Sequence, residues 1–174
     1  MDTIKNIFTR KSIRTFEDRP IAQEDMKTLL TAAMSGPSCV NARDWQFIVV
    51  QDKEMLNKIA DANGRPAEPL RRATAGIIVC GDRKKAFQGA PDYWVIDHSI
   101  ACQNIILAAR ELGIGSVWLG TWPQMNRVEK LSELFGLPEH VIPGSVIALG
   151  YSEETNDFPE KNAYDEKAIH WEKF

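Results

Sequence analysis

The sequence predicts a three-layer α+β domain packed around a buried sheet. Four short apolar runs read as strands: WQFIVV (45–50), AGIIVC (75–80), SVWLG (116–120) and GSVIALG (144–150). Stretches with apolar residues at helical spacing separate them, without clean βαβ regularity. A length of 174 residues suits one domain, 1–174, with a sizeable core of its own.

Taken in order, Ile4, Ile7 and Phe8 recur at helical spacing and predict a short helix ending near Arg10, before Pro20 breaks the chain. Residues 23–35 form an amphipathic helix with acids in its first turn and a stripe of Met26, Leu29, Leu30, Ala33 and Met34. Gly36 caps it and Pro37 stops it. A loop at 37–44 leads to the first strand. Asp52 is placed to cap a helix reaching about Ala62, with Met55, Leu56 and Ile59 inward. The Pro- and Arg-rich stretch 63–73 reads as a loop before the second strand. The longest helix, from Tyr93 to Leu112, is apolar on most sides of its middle (Ile100 to Cys102, Ile105 to Ala109), so more than one face needs cover. Gly113 and Gly115 are expected to end it. A helix at 124–135 is closed by Gly136 and Pro138. The tail after Tyr151 is polar but finishes IHWEKF, and aromatics at a terminus imply docking.

Composition narrows the function. The net charge of −3 gives no reason to expect nucleic acid. No apolar run is long enough for a membrane span and the N-terminus lacks a secretory apolar core, so a cytoplasmic protein without membrane contact is expected. Cys39, Cys80 and Cys102 form no CxxC and no Cys/His cluster, which argues against zinc and against a disulfide framework. No metal is expected.

Against this acidic background RKSIRTF (10–16) stands out. Cations at a helix end can simply answer the dipole. In extended chain, however, alternate side chains share a face, so Arg10, Ser12 and Arg14 can point one way. Two guanidinium forks and a hydroxyl suit a phosphate. Neither GxGxxG after a strand nor GxxxxGK[ST] is present, so side chains would have to hold it. GPSCVN (36–41) offers backbone donors, a hydroxyl and a carboxamide, or plain turn chemistry. LGIGSVWLG (112–120) reads as a helix cap plus a strand.

Together and in order, RKSIRTF, GPSCVNARDWQF, DHSIACQNIILAARELGIGSVWLG, VIALGYSEE and the closing IHWEKF resemble the nitroreductase family of FMN-dependent oxidoreductases. The resemblance spans nearly the whole chain. It implies an α/β/α fold with a central mixed sheet, a homodimer with FMN at the subunit interface, and a tail of about 152–174 packing on the partner subunit. It implies Arg10, Lys11, Ser12 and Arg14 as FMN ligands, with Arg10 and Ser12 at the phosphate and ribityl end and Arg14 at the flavin N1/O2 edge. Pro37, Ser38, Cys39 and Asn41 would come from the partner subunit, Asn41 toward O4/N5. Trp118, Leu119 and Gly120 would pack on the ring and offer backbone N–H groups, and Lys161 would reach the phosphate. The chain departs from the family pattern at Cys39, often Ser, and at Arg43-Asp44, often Gln-Pro. No counterpart of the family's contacts is found in 63–72, where Arg71 and Arg72 are out of register and read as solvent-facing.

The implied activity is ping-pong hydride transfer from NADH or NADPH to FMN, then to an electron-poor acceptor such as a nitroaromatic or a quinone. No side chain is assigned as catalytic, and His98 reads as a structural histidine. Alternatives are a static flavin-binding or redox-sensing module, a same-fold dehalogenase or azoline dehydrogenase, and a simple phosphate-binding domain.

Overall fold

A computed structural model of the chain describes residues 2–153 and 158–174. Nine regular elements follow one another: α1 (Thr3–Thr9), α2 (Gln23–Met34), β1 (Trp45–Val50), α3 (Lys53–Asn63), β2 (Ala75–Asp82), α4 (Trp94–Glu111), β3 (Ile114–Gly120), α5 (Met125–Phe135) and β4 (Val141–Tyr151). The four strands form one sheet in the order β1-β2-β4-β3. Every pair is antiparallel, where the resemblance implied a mixed sheet. Strand direction depends on how the connections cross, which apolar runs do not encode.

The pleat divides the core into two layers. Ile77, Val79, Ile147 and Leu149 point to one face, where α2 and α4 cover them with Leu29, Ala33, Ala101 and Ile105. Ile78, Cys80, Val146 and Ala148 point to the other, against Leu56 and Ile59 of α3 and Leu131 of α5. This is the α/β/α arrangement the sequence predicts. Burial on both faces explains why the central strands read as unbroken apolar runs rather than alternating ones.

Local chemistry sets the boundaries. The Asp52 carboxylate accepts from the Met55 amide at 2.8 Å and starts α3, as expected. Stretch 63–73 is not open loop: Arg65–Arg71 forms a 3₁₀ turn with Ala67 and Leu70 buried. Gly113, at φ 73°, ends α4, but Gly115 lies inside β3 opposite Gly150. Pro143 is tolerated in the central strand β4 because the register with β2 slips between Val79 and Cys80, leaving Gly144 as the extra residue.

Candidate functional site

β3 is an edge strand, and residues 10–17 run along its open side. The Ile13 amide donates to the Ser116 carbonyl at 2.9 Å and the Glu17 amide to the Tyr151 carbonyl at 2.9 Å. Ser116 therefore faces outward, and by the alternation of an antiparallel ladder so do the backbone groups of Trp118 and Gly120. Tyr151 pairs with Ile114, so the chain direction carries Arg10, Lys11 and Ser12 toward the Trp118–Gly120 end of that edge.

Arg10 caps α1 and has no acidic partner among the described residues. The Lys161 ammonium donates to the Arg10 carbonyl, and the Lys161 amide donates to the Phe8 carbonyl at 3.1 Å. Burial, then the Arg10 charge, pushes the Lys161 pKa down. Two neighbouring cations without an acid between them make a place for an anion. They line a cleft of about 580 Å³ together with Phe8, Gln103 and Tyr164. Lys11 lies 4.8 Å from the centre of the Phe158 ring.

Arg14 opens on a second cleft, of about 920 Å³, walled by Arg65, Pro66, Pro69 and Arg72. Its Nη1 donates to the Ser12 carbonyl at 3.3 Å. Arg71 and Arg72 border this cleft with their charges answered: Arg71 pairs with Asp61 at 2.6 Å and Glu68 at 3.1 Å, and Arg72 with Glu153 at 2.5 Å.

The three residues at the end of β3 play different parts. Leu119 is a core side chain. Trp118 turns inward, and its indole N–H donates to the Ser145 hydroxyl at 2.7 Å. Ser145 in turn lies 3.3 Å from His98 Nε2, while His98 Nδ1 lies 2.7 Å from the Val95 carbonyl. That carbonyl can only accept, so Nδ1 carries the proton and Nε2 accepts from Ser145. Burial lowers the His98 pKa, so the ring is a satisfied neutral histidine, as the sequence predicts. Gly120 is exposed, with open space where a side chain would be.

Asn63 was not foreseen. Fully buried at the end of α3, it donates to the Gly120 carbonyl at 3.4 Å and accepts from the Thr121 hydroxyl at 3.0 Å. It ties the far side of the core to the β3 terminus. In sequence, Asn before Gly reads only as a helix stop.

Pro37, Ser38, Cys39 and Asn41 lie elsewhere. The Cys39 amide donates to the carboxylate of Asp97, in the first turn of α4. The basic segment sits at the other end of the same helix, where Arg110 donates to the Thr9 hydroxyl and Asn6 to the Leu107 carbonyl. At 1.5 Å per residue, Asp97 and Arg110 are about 20 Å apart. One chain thus does not gather all the expected residues into one cavity.

The sequence profile of the nitroreductase family matches residues 7–67 and 63–151. The chain belongs to the nitroreductase family. A relative from Archaeoglobus fulgidus, provisionally named as an NADH dehydrogenase/NAD(P)H nitroreductase, is 45% identical over 99% of this chain and 99% of its own. An FMN reductase [NAD(P)H] of Bacillus subtilis is 30% identical, over 86% of this nitroreductase and 66% of the relative. The solved FMN-dependent nitroreductase of Clostridium difficile R20291 superposes with a TM-score of 0.89 at 30% identity, covering 98% of this chain and 99% of that one. Among the described residues there is no cluster of His, Cys, Asp or Glu able to hold a metal, and no helix long and apolar enough to cross a membrane.

Proposed function

We propose that this nitroreductase is an FMN-dependent NAD(P)H oxidoreductase, acting as a homodimer of single-domain chains with FMN between them. The observation that carries the reading is a pair of cations lining one cleft, Arg10 and Lys161, with no acidic partner among the described residues. The donor set fits the group. Arg10, Lys161 and the Ser12 hydroxyl suit a phosphate and a polyol, Lys11 adds charge, and Arg14 suits the pyrimidine edge. The outward amides at Trp118 and Gly120 suit the ring; Leu119 serves only to fix them. The family relationship and the named activities of relatives support the same reading.

The second copy would supply the 37–41 loop. The 20 Å between the two ends of α4 puts Ser38, Cys39 and Asn41 out of reach of their own chain's basic segment, and an antiparallel partner helix would bring them back. Cys39 offers only a weak thiol donor, since its amide is engaged with Asp97. The tail fits too: Trp171 is 82% exposed and Phe174 fully exposed on a single chain. Wrapped on a partner, both would be covered.

When bound, FMN supplies the hydride chemistry. The protein's part is to position and to tune. Arg14 would favour negative charge at the pyrimidine edge of the bound flavin. The outward amides of Trp118 and Gly120 would hold the ring in register for donor and acceptor. No side chain needs to act as an acid. The acceptor class is an electron-poor ring, a quinone or nitroaromatic.

The experiment is spectroscopic. Purified protein loaded with FMN should lose its visible flavin band with NADH or NADPH and regain it with a quinone. Colourless protein after loading removes the reading. A band that NAD(P)H leaves unchanged replaces the enzyme with a flavin-storage module.

A further inference from the structure

The most strained described backbone is the 38–43 loop. Val40, Asn41 and Arg43 have φ of 45°, 59° and 50°, three of the four non-glycine residues with positive φ. Such conformations are costly for side-chain-bearing residues and persist only where surrounding contacts impose them. Here the Arg43 amide donates to the Ser38 hydroxyl at 3.0 Å, Arg43 Nε donates to Asn41 at 3.0 Å, and the Cys39 amide reaches both Asp97 oxygens at 3.0 Å.

Beneath the loop lies Asp44. Its side chain is 0% exposed, and no donor but its own backbone amide approaches either carboxyl oxygen. What it meets is the carboxyl of Asp97, itself 2% exposed. No cation answers either group among the described residues. Arg43 is turned to Asn41. His98, the next residue on α4, is engaged with Val95 and Ser145. At the end of β2, Asp82 adds a third negative charge, and the nearby Lys85 and His140 face Asp82, at 4.0 and 3.9 Å.

Two buried carboxylates in contact, without a cation, repel strongly, and one proton between them removes the conflict. We propose that Asp44 and Asp97 hold a single proton between them, and that this proton latches the 38–41 loop in its bent shape. The Asp44 carboxyl donates to the Asp97 carboxylate, which keeps its remaining lone pairs for the Cys39 N–H. Burial, then the Asp97 charge, raises the Asp44 pKa from 3.8 to about 6, in keeping with Asp44 as the proton holder. Loss of the proton sets Asp97 against a second anion; the repulsion drives the two carboxylates apart, draws the Asp97 acceptor away from the Cys39 N–H and frees the loop. The consequence for flavin rests on the function proposed above: this loop meets the ring from the partner subunit, so flavin is held more tightly on the acid side. Asp97 acts through the Cys39 amide and Asp44 through Asp97, so both are positioning residues.

Asp44→Asn supplies a permanent N–H donor in place of the titrating one. Hydrogen exchange at the Cys39 amide is compared in the wild type and D44N, at pH 5 and at pH 8, so that the intrinsic pH dependence cancels in the ratio. The two should exchange alike at pH 5. At pH 8 the wild type should exchange faster by about tenfold or more, the factor one pKa unit carries. A ratio unchanged between the two pH values overturns the proposal. Should D44N fail to fold, Asp97→Asn serves: its carboxamide accepts from Cys39 and donates to Asp44 without a titrating proton, so it too should lose the pH dependence. Infrared spectra of the wild type should show a protonated carboxyl at pH 5 that D44N lacks, and its absence would also overturn the proposal. The ratio of FMN affinity in the wild type to that in D44N, in which the ionisation of the phosphate cancels, should fall from pH 5 to pH 8. Exchange as expected with no FMN binding at either pH keeps the shared proton and removes the flavin reading. A flat exchange ratio with FMN bound does the reverse.

Discussion

At its N-terminal end α4 places Asp97 under a strained loop; at its C-terminal end, about 20 Å away, it places Arg110 under α1 and the basic segment. Both placements suit the helix dipole, an anion at the positive end and a cation at the negative end. They differ in what they leave unsatisfied. The Asp97 end has an excess of buried acid and needs a proton. The Arg10 and Lys161 end has an excess of positive charge open to solvent and needs an anion. On the function proposed above, a second copy running the other way would join these unlike ends into one site.

The largest expected effect breaks the basic end alone. Arg10→Ala with Arg14→Ala should lower FMN affinity about a thousandfold, from two charged contacts at about 1.5–3 kcal/mol each. Flavin fluorescence titration reads it, and the melting temperature of the flavin-free protein should scarcely move. Ile147→Ala cuts the core between the two ends and should cost about 2–5 kcal/mol in chemical denaturation.

Asp44→Asn sharpens the contrast at the acid end. A pKa raised to about 6 in the folded state means that the fold binds this proton more tightly than the unfolded chain does. The resulting stability is complete below about pH 4 and is lost as pH rises through about 6. Relative to the wild type, D44N should therefore gain about 3 kcal/mol between pH 4 and pH 8, two pKa units at 1.36 kcal/mol each. Denaturation at the two pH values checks the sign. The smallest effect is a control: Asp52→Ala removes the cap of α3, far from both ends, and should cost about 1 kcal/mol with no change in flavin affinity.

Much of the fold was legible because burial and capping are local signals. WQFIVV matches β1 residue for residue, and Asp52 announces α3. What escaped depends on contacts distant in sequence. Gly115 read as a helix stop, but it is a strand residue whose missing side chain admits Ile13. Residues 63–73 read as loop because Pro and Arg hide a 3₁₀ turn stabilised by Ala67 and Leu70. The resemblance implied Arg10 and Lys161 at one phosphate although about 150 positions separate them, and the fold does bring the Lys161 ammonium to the Arg10 carbonyl. Asn63 gave no sign, and Asp44 showed only as part of the Arg43-Asp44 departure from the family pattern. A buried polar residue looks like any surface one until its neighbours are known.

Gly115 and Gly150, paired across the β3–β4 ladder, carry a practical consequence. A methyl group on Gly115 would stand 2.8 Å from Ile13, and one on Gly150 would stand 2.9 Å from Phe16. These bare positions form the bed on which the arginine-bearing strap lies, so the strap's height above the sheet is set by residues that touch no ligand. Adding bulk there offers a dial for cofactor grip that leaves every polar group in place.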